Sequence, residues 1–142
     1  KYIQGLNRKF RQMDEPTDIL AFPFHDDIVA GQMPHASTPD EENLGELVLS
    51  VPYVQRWCKE RGVKLHNRLV RLVAHGVCHC LGHDHEEDAD ARLMMEKERF
   101  ILEKLAAYES FMVSKPGKSK QARSLHTSPH VFAHLQLNVG SK

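Results

Sequence analysis

Three histidines share the run His75-Gly76-Val77-Cys78-His79-Cys80-Leu81-Gly82-His83-Asp84-His85. Residues four apart on a helix face the same way and lie about 5–6 Å apart, so His75 and His79 can reach one ion. Gly82 can end that helix in a left-handed turn and bring His85 round to the same point. Three neutral imidazoles leave a tetrahedral zinc one open position, the layout of a catalytic rather than a closed structural site. The spacing therefore predicts one zinc per chain, held by His75, His79 and His85. His83 is out of register with these three and is read as a neighbour.

The position after the first histidine limits the chemistry. The same spacing occurs in the long metalloprotease motif, where a Glu at that position is the general base. Here it is Gly76, which cannot take a proton from water, so hydrolysis of peptides or other small substrates is a disfavoured third reading. Asp84, beside a ligand, is a candidate to orient an imidazole from behind.

The elements that must carry these groups follow from periodicity. Residues 1–10 read as the end of a helix with Ile3, Leu6 and Phe10 on one stripe, broken by Asp14, Glu15 and Pro16. Thr17 to Phe24 and Leu44 to Val51 read as strands, with a loop over residues 25–43 between them. Pro52 suits the first turn of a helix that Gly62 closes, burying Val54, Trp57 and Cys58. Residues 65–81 form the ligand helix, with an apolar face of Leu65, Leu69, Leu72, Val73, Gly76 and Val77. A last helix spans 88–110, its stripe marked by Met94, Lys97, Phe100, Ile101, Leu105 and Tyr108, with Met94 and Met95 as core filler. This order predicts an α/β or α+β layer with a small sheet and the zinc helix in the middle.

Composition places one domain over residues 1–112 and a flexible basic tail over 113–142, rich at first in Ser, Lys, Pro and Gly. All 19 acidic residues precede residue 114, against 14 of the Lys and Arg, so the folded part is mildly acidic. That is unlike a broad basic nucleic-acid face. An RNA role needs a local patch, for which Arg8, Lys9, Arg11, Arg68 and Arg71 are the candidates. Cys58, Cys78 and Cys80 have no framework spacing and fit a reducing compartment. Cys78 and Cys80 project about 100° to either side of His79 on a helix, so they are read as buried residues rather than ligands. No run reaches the ~20 apolar residues of a membrane span. His126, His130 and His134 recur every four residues, but Pro129 disrupts a helix there, so no second metal is expected.

The histidine run, together with Asn7-Arg8-Lys9-Phe10-Arg11-Gln12-Met13-Asp14-Glu15-Pro16-Thr17-Asp18-Ile19-Leu20-Ala21-Phe22-Pro23-Phe24 and Leu44-Gly45-Glu46-Leu47-Val48-Leu49-Ser50, resembles the YbeY endoribonuclease family over about residues 3–110. The resemblance implies a small mixed sheet with helices around it and a zinc at one end of a cleft. It implies His75, His79 and His85 as ligands and Arg11 as the residue needed for RNA cleavage. It also implies a zinc-dependent endoribonuclease specific for single strands, acting in ribosomal RNA processing at the small-subunit 3′ end and in ribosome quality control. Its partners would be ribosomal RNA and the small ribosomal subunit or its proteins, with no DNA or membrane. A non-catalytic zinc-containing ribosome assembly factor is the second reading. The sequence departs from the family's usual pattern at Ala21 (usually Ser), Glu46 (usually Asp) and Cys80 (often Leu). No general base is evident; Asp84, Glu46 and His83 are the candidates. The chain starts at Lys1, inside a helical pattern, so the family's N-terminal strand is expected to be absent or to belong to a longer precursor. The acidic insert Asp26–Asn43 and the tail favour a eukaryotic member, placed in a mitochondrion or chloroplast; otherwise the cytoplasm is expected.

Overall fold

The computed structural model describes residues 1–35, 38–114 and the backbone of 132–138. The element order is α1 (Tyr2–Arg11), β1 (Ile19–Pro23), a single 3-10 turn (Pro39–Glu42), β2 (Asn43–Ser50), α2 (Val51–Arg61), α3 (Leu65–Cys80), α4 (Asp88–Ser114) and β3 (Phe132–Asn138). The class is α+β, with a small sheet and the histidine helix packed on it.

Alternation along the strands sorts side chains to the two faces. Ile19 pairs with Leu49, and Ala21 with Leu47. These four meet α2 and α3 through Val54, Cys58 and Leu72. Leu20 and Val48, one residue out of step, turn to the other face, where Ile3 of α1 covers them and Leu6 and Phe22 pack alongside. Each such side chain, fully buried, contributes about 1.5–3 kcal/mol. Every pairing among the described strands is antiparallel, in the order β1-β2-β3, rather than mixed.

β3 lies inside the segment that composition predicts as flexible tail. Leu135 stands opposite Leu47, and His134 opposite Val48. The missed signal is a two-residue alternation: Ala133, Leu135 and Leu137 are apolar, and His134, Gln136 and Asn138 between them are polar. The four-residue histidine recurrence masked that pattern. His126 and His130 lie outside the described residues, and His134 falls on a strand.

The helix ends obey their local chemistry. Gln12 closes α1 in the left-handed region with φ 59°. Asn7 then donates from Nδ2 to the Glu15 carbonyl at 2.9 Å, which holds the turn after Arg11 against α1. Gly62 closes α2 with φ 65°. No helix among the described residues is long and apolar enough to cross a membrane.

The last helix differs from its predicted stripe. Met94 is buried, but Met95, Phe100, Leu105 and Tyr108 are exposed. The inward side instead runs through Met94, Glu98, Ile101 and Leu102, the last three half-buried. On α1, Ile3 is buried as expected, whereas Phe10 is 55% exposed and meets Phe22 edge-on.

Candidate metal centre

α3 packs closely on the sheet at Gly76. A Cβ there would lie 2.6 Å from Leu47 Cδ2 and 3.0 Å from Ile19 Cδ1. This explains the absent glutamate: the position after the first histidine faces packed sheet, with no room for a side chain. The neighbours of Gly76 along the helix, His75 and His79, flank this crossing and open onto a cleft.

After Cys80 the chain reverses through Gly82, with φ 76°. Gly82 N–H donates to the His79 carbonyl and His83 N–H to the Cys78 carbonyl, both at 3.0 Å, which is a glycine helix stop. Ile28 also approaches the turn closely: a Cβ on Gly82 would meet the Ile28 carbonyl oxygen at 2.6 Å. His85 is thereby returned to the other two. One ligand-capable nitrogen from each of His75, His79 and His85 lies within 4.8 Å of the others.

Two hydrogen bonds set the ring orientations. His75 donates from Nδ1 to Glu98 Oε1 at 2.6 Å. His79 donates from Nδ1 to the His83 carbonyl at 3.1 Å. With both Nδ1 protons directed away, the two Nε2 lone pairs face each other at 3.2 Å. Two acceptors so placed repel unless a cation lies between them. Nitrogens about 2.0–2.1 Å from a tetrahedral zinc stand roughly 3.3 Å apart, so the pair already has metal-binding spacing. His79 is held below its ordinary pKa by burial, and then by His75 and His85, which favours the neutral imidazole a metal needs. The three histidines can therefore hold one metal ion.

The acid behind the ligands is Glu98, not Asp84. Asp84 Oδ1 accepts the His85 backbone N–H at 2.7 Å and reaches no ring. Glu98 lies on α4, 23 residues from His75, and no local motif marks it. The available signal was an acid four residues after Met94 on the inward side of an amphipathic helix.

The cleft has a volume of about 770 Å³ and is lined by Arg11, Asp18, Arg71 and the three histidines, among others. Arg11 reaches it from the end of α1 and is exposed, with no ion-pair partner among the described residues. Arg68 is committed elsewhere: it pairs with Asp18 at 2.8 Å and stacks over Trp57 at 4.5 Å. Arg8 lies 3.8 Å from Asp14, and Lys9 sits over Phe10. Of the candidate bases, Glu46 is exposed on the strand face turned toward α1 and does not line the cleft. His83 is buried, with Nε2 unpartnered beside Gly31. Burial and then Lys97 push its pKa down. Asp84 lines the cleft and is exposed. Cys78 and Cys80 are wholly buried free thiols, as their angular offset from His79 predicts.

Fold and site together define a small α+β protein with a three-histidine centre, able to hold one metal ion at an open, arginine-bearing cleft. The sequence profile of the endoribonuclease YbeY family matches residues 1–106, and the chain belongs to that family. It is similar to the protein named endoribonuclease YbeY in Homo sapiens, with 41% identity covering 74% of this chain and 62% of that one. The protein of that name in Carboxydothermus hydrogenoformans is 43% identical, covering 73% and 65%. The one in Myxococcus xanthus is 40% identical, covering 87% and 39%. The chain thus spans just under two thirds of the first two relatives. Of its departures from the family's usual pattern, Ala21 lines the cleft and Cys80 is an apolar core residue.

Proposed function

We propose that this chain is a zinc-dependent endoribonuclease acting on single-stranded ribosomal RNA, in small-subunit 3′-end maturation and ribosome quality control. The observation that carries the reading is the pair of Nε2 nitrogens 3.2 Å apart, on the cleft that Arg11 also lines. The relatives' name, endoribonuclease, supports RNA as the substrate.

His75, His79 and His85 would hold the zinc, which when bound would supply Lewis acidity for phosphoryl chemistry. The residues do the rest. Glu98 keeps the His75 ring turned with Nε2 toward the cleft, and the His83 carbonyl does the same for His79. Arg11 places a planar, permanently charged fork against phosphate oxygens, where negative charge grows as the nucleophile adds. Asp84 and Glu86 are exposed carboxylates on the cleft; Asp84, adjacent to His85 in the chain, is the one we assign to accept a proton from the attacking hydroxyl. Peptide hydrolysis is opposed by the packing at Gly76, which leaves no place for the base that chemistry uses.

The test is cleavage of pre-ribosomal RNA by wild type, His79→Ala and Arg11→Ala, with bound zinc measured first. Specific cuts lost in both variants, with zinc retained in Arg11→Ala, support the reading. Zinc bound at one per chain without cleavage overturns it in favour of a non-catalytic assembly factor.

A further inference from the structure

We propose that Arg71 binds a backbone phosphate of the RNA strand next to the one that reacts, and so sets how the strand lies along α3. This rests on the RNA-cleaving reading above. Arg71 lines the cleft and is exposed. It precedes His75 by one helical turn, about 6 Å along the axis. A phosphate held there lies about one nucleotide of an extended strand from the histidine cluster.

The other cations decide the assignment. Among the described residues the cleft lining holds three, Arg11, Arg68 and Arg71, and no lysine. Arg68 is an equal candidate in sequence, but its guanidinium is engaged by Asp18 at 2.8 Å and by the Trp57 ring. That ion pair also neutralises Asp18, one of the carboxylates that line the cleft with Asp84, Glu86 and Glu98. Arg71 has no carboxylate partner within ion-pair distance among the described residues. The body as a whole is acidic, with 19 Asp and Glu against 14 Lys and Arg before residue 114. A polyanion is therefore not drawn by net charge and must be met by local unpaired cations. On this cleft those are Arg11 and Arg71, arriving from two different helices. A guanidinium left unpaired on an acidic protein, beside a site for phosphoryl chemistry, is suited to a phosphate oxygen pair.

The experiment measures binding of a fluorescently labelled, unstructured ten-nucleotide RNA by anisotropy at several salt concentrations. Wild type, Arg71→Ala, Arg71→Lys and Arg71→Glu are compared, with steady-state cleavage alongside. Arg71→Ala should weaken binding about three- to tenfold and reduce the slope of log affinity against log salt by about 0.7, one single-strand phosphate contact. KM should rise with kcat nearly unchanged, Arg71→Lys should keep the slope, and Arg71→Glu should lose the most. RNA binding that persists with unchanged affinity and slope in Arg71→Ala overturns the assignment and leaves the nuclease reading standing. Wild-type protein that does not bind the RNA at all overturns both.

Discussion

His75 Nδ1 and Glu98 Oε1 are 2.6 Å apart, joining the first histidine of the cluster on α3 to a carboxylate on α4. The bond fixes which ring nitrogen faces the cleft and makes the imidazole a stronger donor. Glu98→Ala should lower zinc affinity about 10–100-fold, measured by competition with a chromophoric chelator. Glu98→Gln should lose less, because its amide oxygen still accepts from Nδ1. Equal affinity in all three proteins would detach α4 from the metal site.

Metal removal should be read in stability as well as activity. A ligand present at 1,000 times its Kd stabilises the folded state by about 4 kcal/mol. Chelation should therefore lower the Tm of wild type and leave His79→Ala, already without metal, unmoved. A wild-type Tm indifferent to chelator would count against an occupied site.

Gly82→Ala should be damaging out of proportion to one methyl group. The left-handed backbone at φ 76° costs a non-glycine residue about 1–2 kcal/mol. The new Cβ would also collide with the Ile28 carbonyl oxygen. A fall of about 4 °C or more in Tm is expected, with weaker zinc binding because His85 is returned to the cluster by this turn. Unchanged melting and zinc titration would show that the turn relaxes freely.

Burial pushes both the Cys78 and the Cys80 thiol up to about 11 from 9.0, with the negative charge of Glu98 adding to the effect at Cys78. In the unfolded chain both titrate near the ordinary value. Between pH 9 and 11 the unfolded state therefore releases protons that the folded state keeps, and stability falls as pH rises through that window. The urea midpoint should drop correspondingly, and less so in a Cys78→Ala, Cys80→Ala double variant. At pH 8 iodoacetamide should label these thiols only after unfolding.

The clustering of His75, His79 and His85 was legible because all of its information is local. Histidines four apart and a glycine stop act within one helix end, and the fold had only to leave that end open. Arg11 came from the resemblance, not from spacing, and the cleft it lines joins elements more than sixty residues apart in sequence. Glu98 was illegible as a partner because its role depends on how α4 lies against α3. Arg68 and Arg71 looked alike as cations; only the tertiary positions of Asp18 and Trp57 separate them. The stripe on α4 was read correctly at Met94 and Ile101 but extended too far, because Phe100, Leu105 and Tyr108 are large and apolar yet exposed. β3 was missed because a strand needs a neighbour, and its neighbour β2 lies some ninety residues earlier.

The contact between Gly76 and Leu47 has one more consequence. The backbone beside the first ligand rests against a side chain of the central strand. Leu47 and Ile19 thus work as a depth stop, setting how far the histidines stand from the sheet and hence how deep the floor of the cleft lies. Substitutions on the hidden side of that helix would reshape a site they never touch, by raising or lowering its histidines against the walls that carry the arginines.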